Sequence, residues 1–239
     1  MTNVMTRAPR GGQKQAVPSR KRQWWRWAAG GAGALVVVVV AGLFVYVHYL
    51  GGPVPAPLTL PKSHSRAAGV GGASIDGTWT VGTGSLAGYR VREDFLGPGD
   101  SLVGRTSAVV GKVVVAHGEV TSGSFSVELG TVKANGKLQP QFAAALGTAK
   151  FPDATFTLSE PVVTSPGPVI NKAFKVNATG LLAMHGTTQR VSFEVTARYN
   201  GAVLEEAGSV PVVLSKWGIN APALIEDNGA VEFFLVMHR

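Results

Sequence analysis

Hydrophobic and polar positions follow two different rhythms along the chain. Between Ala28 and Leu50 there are 23 residues without Asp, Glu, Lys or Arg, and the stretch Leu35 to Val47 is dominated by valine. As a helix rising about 1.5 Å per residue this segment is roughly 35 Å long, enough to cross about 30 Å of hydrocarbon. The modest helix propensity of valine matters little in lipid, where the backbone has no other hydrogen-bond partner. Past Ile75 the period becomes two. Phe125, Val127 and Leu129 alternate with Ser124, Ser126 and Glu128; Phe156 and Leu158 alternate with Thr155, Thr157 and Ser159. Val191, Phe193, Val195 and Ala197 alternate with Arg190, Ser192, Glu194, Thr196 and Arg198. Each run predicts an antiparallel strand with one dry and one wet face. Thr78–Thr83, Leu86–Arg92, Ser107–Ala116, Phe174–Leu182, Glu205–Leu214 and Val231–Met237 are further expected strands, separated by Gly97-Pro98-Gly99, Gly118, Pro161, Pro166-Gly167-Pro168 and Gly201.

One stretch keeps neither rhythm. Gln139 to Leu146 combines helix formers with an early Pro140 and a following Gly147, which predicts a short helix. Eight or more strands with a single short helix make the domain all-β, as a closed barrel or a sandwich. A barrel removes the exposed sheet edges, and eight strands leave room inside for side chains or one slender ligand.

Charge changes the picture chiefly in the first fifty residues. The net charge is +8, but Arg7, Arg10, Lys14, Arg20, Lys21, Arg22 and Arg26 all precede Leu50, with no acidic residue among them. From Asp76 to Arg239 there are 13 Lys/Arg against 14 Asp/Glu. A nearly neutral domain lacks the concentrated basic footprint that DNA or RNA binding needs, so no nucleic-acid partner is expected. The basic cluster lies on the N-terminal side of the apolar run, flanked by Trp24, Trp25 and Trp27, with Tyr46 and Tyr49 near the other boundary. This pattern predicts a single-pass cell-membrane protein with a cytoplasmic N-terminus and an extracytoplasmic C-terminal domain. The expected organisation is a basic tail at 1–27, a transmembrane helix at 28–50, a Pro/Gly-rich linker at 51–73 and a β-domain at 74–239. Pro53, Pro55, Pro57 and Pro61 stiffen the first half of that linker, and Gly69, Gly71 and Gly72 loosen the second. A cleaved signal peptide with a long basic lead is the alternative, and it exports the same domain.

Catalytic signals are weak. Cysteine is absent, which excludes disulfides, thiolate metal sites and cysteine nucleophiles. His117, His185 and His238 show no recurring spacing, so no metal site is expected, and His185 reads as a surface residue of a hairpin turn. No nucleophile-elbow pattern marks a triad. Glu205-Glu206 and Glu226-Asp227 read as solvated acidic pairs at strand ends. The domain is not expected to be an enzyme.

Three segments carry a family resemblance. Ala149-Lys-Phe-Pro-Asp-Ala-Thr-Phe-Thr-Leu158 resembles a segment in which an aromatic and a proline precede a Thr-x-Phe strand. Gly180-Leu-Leu-Ala-Met-His-Gly-Thr-Thr-Gln-Arg-Val191 resembles a G-x-L-x-x-x-G-x-T-x-x-V hairpin, and Ser215-Lys-Trp-Gly-Ile219 an aromatic-Gly-Ile step. Trp79 and the strand after it fit the opening of the same pattern. In this order, over roughly residues 76–239, they resemble the YceI-like family. The resemblance implies an eight-stranded antiparallel, lipocalin-like barrel whose interior holds a long isoprenoid, with quinone-type or polyprenyl lipids as cargo. An Arg-Asp-x-His-Leu type segment often precedes the helix in that family. Here Val132-Lys-Ala-Asn-Gly-Lys-Leu-Gln139 stands instead, so the polar handle near the mouth differs.

Under the ligand reading, Trp79, Phe125, Phe142, Leu146, Phe151, Phe156, Phe174 and Phe193 line the pocket, with Phe142 and Phe151 flanking the helix. The same residues also read as the core of a solid barrel, in which case the domain is a structural module facing an envelope protein. Lys133 and Lys137 meet a headgroup or decorate a loop. No cofactor is called for beyond a bound polyisoprenoid or quinone. The expected partner is a membrane lipid, and a homodimer stays open.

Overall fold

The computed structural model describes residues 54–62, 73–93, 101–134, 136–164, 167–221 and 225–239. All of them belong to one compact unit, Gly52–Arg239. The basic tail and the membrane span expected at 28–50 lie outside the described residues. Among the described residues no helix is long and apolar enough to cross a membrane.

The described chain is almost entirely strand. In order come β1 (Gly77–Val81), β2 (Leu86–Glu93), β3 (Ser101–Thr106), β4 (Val109–Ala116), β5 (Glu119–Glu128), β6 (Lys133–Ala134) and β7 (Lys137–Leu138). The helix α1 (Pro140–Ala145) follows, then β8 (Asp153–Leu158), β9 (Val162–Val163), β10 (Phe174–Met184), β11 (Thr187–Tyr199), β12 (Val203–Val213) and β13 (Ile225–His238). β1 and β2 are two halves of one bent stave, because both pair with β13: Val81 opposes Met237 and Leu86 opposes Phe234. Ser85 fixes the bend. Its hydroxyl donates to the Gly82 carbonyl at 2.8 Å and accepts from the Val236 amide at 2.9 Å. β3 and β4 form the next stave in the same way, paired with β2 and β1. β5, β8, β10, β11, β12 and β13 complete a closed antiparallel barrel of eight staves, so no barrel strand is left with an open edge along its whole length.

The alternation in the sequence places most strands correctly. Beside the two-residue strands β6, β7 and β9, β3 is the strand that pattern missed. Val103 and Gly104 are both buried although adjacent, because Gly104 lies under the Tyr89 ring on one face, so no clean period of two shows. The β10–β11 connection is a two-residue turn with positive φ at His185 (51°) and Gly186 (74°), the backbone that suits a tight hairpin.

Two apolar clusters fill the ends of the barrel. One contains Trp79 and Met237, which are almost wholly enclosed. The Trp79 indole donates to the Ile75 carbonyl at 2.7 Å and meets the Tyr199 ring edge-on at 5.7 Å. The other gathers around Trp217, in a short 3-10 turn at Leu214–Trp217, whose indole donates to the Leu182 carbonyl at 3.1 Å. Gly218 ends that turn with a φ of 68°, and Ile219 is buried just after it. This is the physical content of the Ser215–Ile219 motif: a ring pinned across the barrel and a glycine that lets the chain turn behind it.

The described part of the expected linker lies along the barrel's outer wall. Residues 54–62 have no regular hydrogen-bonded structure, and their carbonyls accept from arginines of three strands. Arg90 of β2 donates to the Pro55 carbonyl at 2.8 Å, Arg105 of β3 to Ala56, and Arg198 of β11 to Pro61 at 2.7 Å. A proline-rich segment suits this role, since it presents carbonyls while having few amide donors to satisfy. Beneath it, Glu232 is 4% exposed and pairs with Arg90 at 2.6 Å, while Glu205 pairs with Arg198 at 2.5 Å.

Candidate functional site

Between the two clusters the barrel is hollow. An inner chamber of about 130 Å³ is walled by Phe125, Phe156, Val176, Phe193, Phe233 and their neighbours. A middle chamber of about 90 Å³ shares Ala87, Val127, Ala154 and Val231 with it. An outer one of about 180 Å³ shares Tyr89, Leu129, Val132, Phe142 and Leu146 with the middle chamber and reaches the exposed Leu138 and Pro140. The three follow one another from the barrel's centre to its surface beside α1.

Glycines set opposite aromatics keep this space open. Gly208 faces Phe233 across the β12–β13 pair, and a Cβ there would lie 2.5 Å from the ring's Cζ. Gly111 stands in the same relation to Phe125, and Gly180 lies under the Phe156 ring. With no side chain beneath them, the rings rest against the wall instead of projecting across the lumen. Phe156, Phe193 and Phe233 then meet edge to face, at 5.3 Å and 5.9 Å between centroids. Such contacts add stability beyond simple burial. An unfilled apolar cavity of this size still costs about 3 kcal/mol, at roughly 24 cal/mol per Å³. A solid core would avoid that cost, and a ligand would offset it.

The expected pocket residues divide into groups. Phe125, Phe156 and Phe193 line the inner chamber, and Phe142 and Leu146 line the middle and outer ones. Phe142 stacks on Tyr89 at 5.7 Å, which seats α1 over the mouth. Trp79 belongs to the packed end of the barrel. Phe174 packs against that end from outside the chambers and borders a surface hollow with Val163 and Lys172. Phe151 lies against the β10–β11 turn, edge-on to His185 at 5.2 Å. Lys133 and Lys137 sit exposed on the β6–β7 hairpin beside the mouth.

Two sequence expectations are corrected. His185 is half-buried, with its Nδ1 3.1 Å from the Trp217 carbonyl, because the turn folds back onto the 3-10 segment. Glu205 and Glu206 lie within β12, where neighbouring side chains leave opposite faces. Glu205 is outside on Arg198, and Glu206 points into the inner chamber. The Glu206 carboxyl has no protein hydrogen-bond or ion-pair partner among the described residues, and burial pushes its pKa from 4.5 up to about 7. Its half-buried surface opens onto the cavity. Of the chamber's lining residues it alone is titratable. The only sequence signal for it was an acidic residue at an inward-facing step of a strand.

Among the described residues no cluster of three His, Asp or Glu could hold a metal. No curated protein matches the sequence. Several solved structures share the fold. A polyisoprenoid binding domain from Saccharophagus degradans is 15% identical, with a TM-score of 0.50, covering 67% of this chain and 97% of that one. BcnA of Burkholderia cenocepacia is 19% identical, with a TM-score of 0.51, covering 64% and 95%. The family model of the YceI-like domain matches residues 62–237, from the end of the proline-rich strap to the last barrel strand. With that match over most of its length, this barrel with a hollow, phenylalanine-lined interior belongs to the YceI-like family.

Proposed function

We propose that the chain is a membrane-tethered extracytoplasmic carrier or sensor that holds a long-chain isoprenoid or quinone-type lipid in its barrel. The observation that carries this reading is the run of apolar chambers from the barrel's centre to its surface beside α1. Small-molecule sites are mostly apolar with few polar groups, and here Glu206 is the one titratable residue in the mostly apolar lining of the inner chamber. The polyisoprenoid binding of the Saccharophagus degradans domain supports the same class of ligand. The lining favours binding over catalysis, since it brings no second titratable group within reach of Glu206. The tether and the orientation rest on the apolar run at 28–50 and the basic residues before it.

Native mass spectrometry of the full chain, released gently from the membranes of its source, tests the reading. An adduct of isoprenoid mass that is lost in Phe193→Asp, while the barrel's circular dichroism persists, supports it. A chain that runs at its bare mass and also refuses added quinones and polyprenols would be a structural module instead.

A further inference from the structure

The lone carboxyl in the lumen says something about the end of the ligand that reaches it. Glu206 stands between Ala197 on β11 and Leu235 on β13, next to the packed end of the barrel. The residues that line the chamber with it include Ala87 from β2, Val109 and Val113 from β4 and Phe233 from β13, all of which present carbon. On the outer side of the wall Arg198 is paired with Glu205 and Arg90 with Glu232. Among the described residues no cation lines the chamber with Glu206. A ligand that enters beside α1 and fills the lumen brings its leading end to this carboxyl.

We propose that Glu206 is the polar anchor for the buried end of the bound lipid, and that this end carries an uncharged oxygen acceptor. The proposal rests on the lumen being a lipid site. Burial favours the protonated acid, whose O–H is a donor seeking an acceptor. A carbonyl or ether oxygen satisfies it. A phosphate or carboxylate placed there would bury an anion beside an acid without any neutralising group. A plain hydrocarbon tip would leave the buried donor unpaired. Affinity also depends on the protonated fraction of Glu206, because an apolar chain packed against it disfavours the ionised form further.

Three probes with related tails separate these cases: geranylgeranylacetone, which ends in a ketone; geranylgeranyl phosphate; and squalene, a hydrocarbon. Each is offered to the full chain in nanodiscs, and dissociation constants are measured for wild type, Glu206→Gln and Glu206→Leu. The wild type should bind the ketone most tightly. Its dissociation constant should rise about thirtyfold between about pH 5.5 and about pH 8.5, as the competent fraction of a group titrating near 7 falls. Glu206→Gln keeps a donor, so it should keep the ketone preference and lose the pH dependence. Glu206→Leu should lose both, the preference over squalene falling about tenfold. Ketone selectivity unchanged in Glu206→Leu would place the anchor elsewhere and overturn the proposal. So would pH dependence that survives in Glu206→Gln, which still reports if the leucine variant fails to fold. Equal binding of all three probes by the wild type would refute the anchor and leave the lipid site standing. No binding of any probe by any form would defeat the lipid reading itself, and the anchor with it.

Discussion

Replacing Glu206 with glutamine changes how the empty barrel's stability depends on pH, by an amount that follows from the position of the carboxyl. Burial raises its pKa from 4.5 to about 7. Between those values the native state retains a proton that the unfolded chain releases, so stability falls as pH rises through the window. The contribution is fully present below the unfolded value and is lost once pH passes the folded one. At about 1.4 kcal/mol per pH unit, the loss is on the order of 3 kcal/mol. Glutamine has nearly the same shape and does not ionise. Urea unfolding of residues 52–239, followed by the fluorescence of buried Trp79 and Trp217, measures both proteins at about pH 4 and about pH 8. Histidines and the other carboxyls titrate alike in the two proteins and cancel in the comparison. Relative to the variant, the wild type should lose on the order of 3 kcal/mol on going to the higher pH. A wild-type-to-variant difference that stays constant across that range would mean the carboxyl is solvated in the native state, and the enclosed lumen would be refuted with it.

Gly208→Ala should drive the Phe233 ring off the wall, at a cost of about 1–3 kcal/mol from overpacking, and should reduce lipid capture relative to the wild type. Melting curves and probe titration of the variant beside the wild type check this. Trp217→Phe removes the indole donor to the Leu182 carbonyl, and the loss should be about 1–3 kcal/mol, read from the urea midpoint. Arg198→Met strips Glu205 of its partner and frees the Pro61 carbonyl. Hydrogen exchange should then speed up around residues 54–62 and β12, while β5 and β8 stay protected.

The expected strands and the helix were legible because their signals are local. Period two in Phe125–Leu129 or Val191–Ala197 reports one wet face and one dry one wherever the strand ends up. Pro140 and Gly147 bracket α1 for backbone reasons that hold in any context. The Gly180–Val191 hairpin was readable too, through its resemblance to the family's hairpin pattern, and its turn falls at His185 and Gly186, both with positive φ. β3 escaped because Gly104 is buried by Tyr89, a neighbour across the sheet that its own sequence does not reveal. The alternation could not tell a strand's dry face in a solid core from one lining a hollow, since both select the same residues. That distinction depends on what stands opposite: Gly208 under Phe233, Gly111 against Phe125, Gly180 beneath Phe156.

Of the expected pocket set, five side chains reach the chambers, whereas Trp79, Phe151 and Phe174 pack at an end, a turn and an outer hollow. An aromatic ring in a barrel strand is apolar in every one of these places, so composition could not sort them. The same holds for Glu205 and Glu206. Side by side in the sequence they resemble a solvated pair, but pleating sends one to Arg198 outside and the other into hydrocarbon. The sequence by itself determined most of the strands, the helix and the main turns, because each depends on residues close together along the chain. Only the closure of eight staves into a ring decided which faces share a lumen, which carboxyl stands alone in it, and where the proline strap finds its arginines. Those outcomes are set by contacts between residues far apart in sequence.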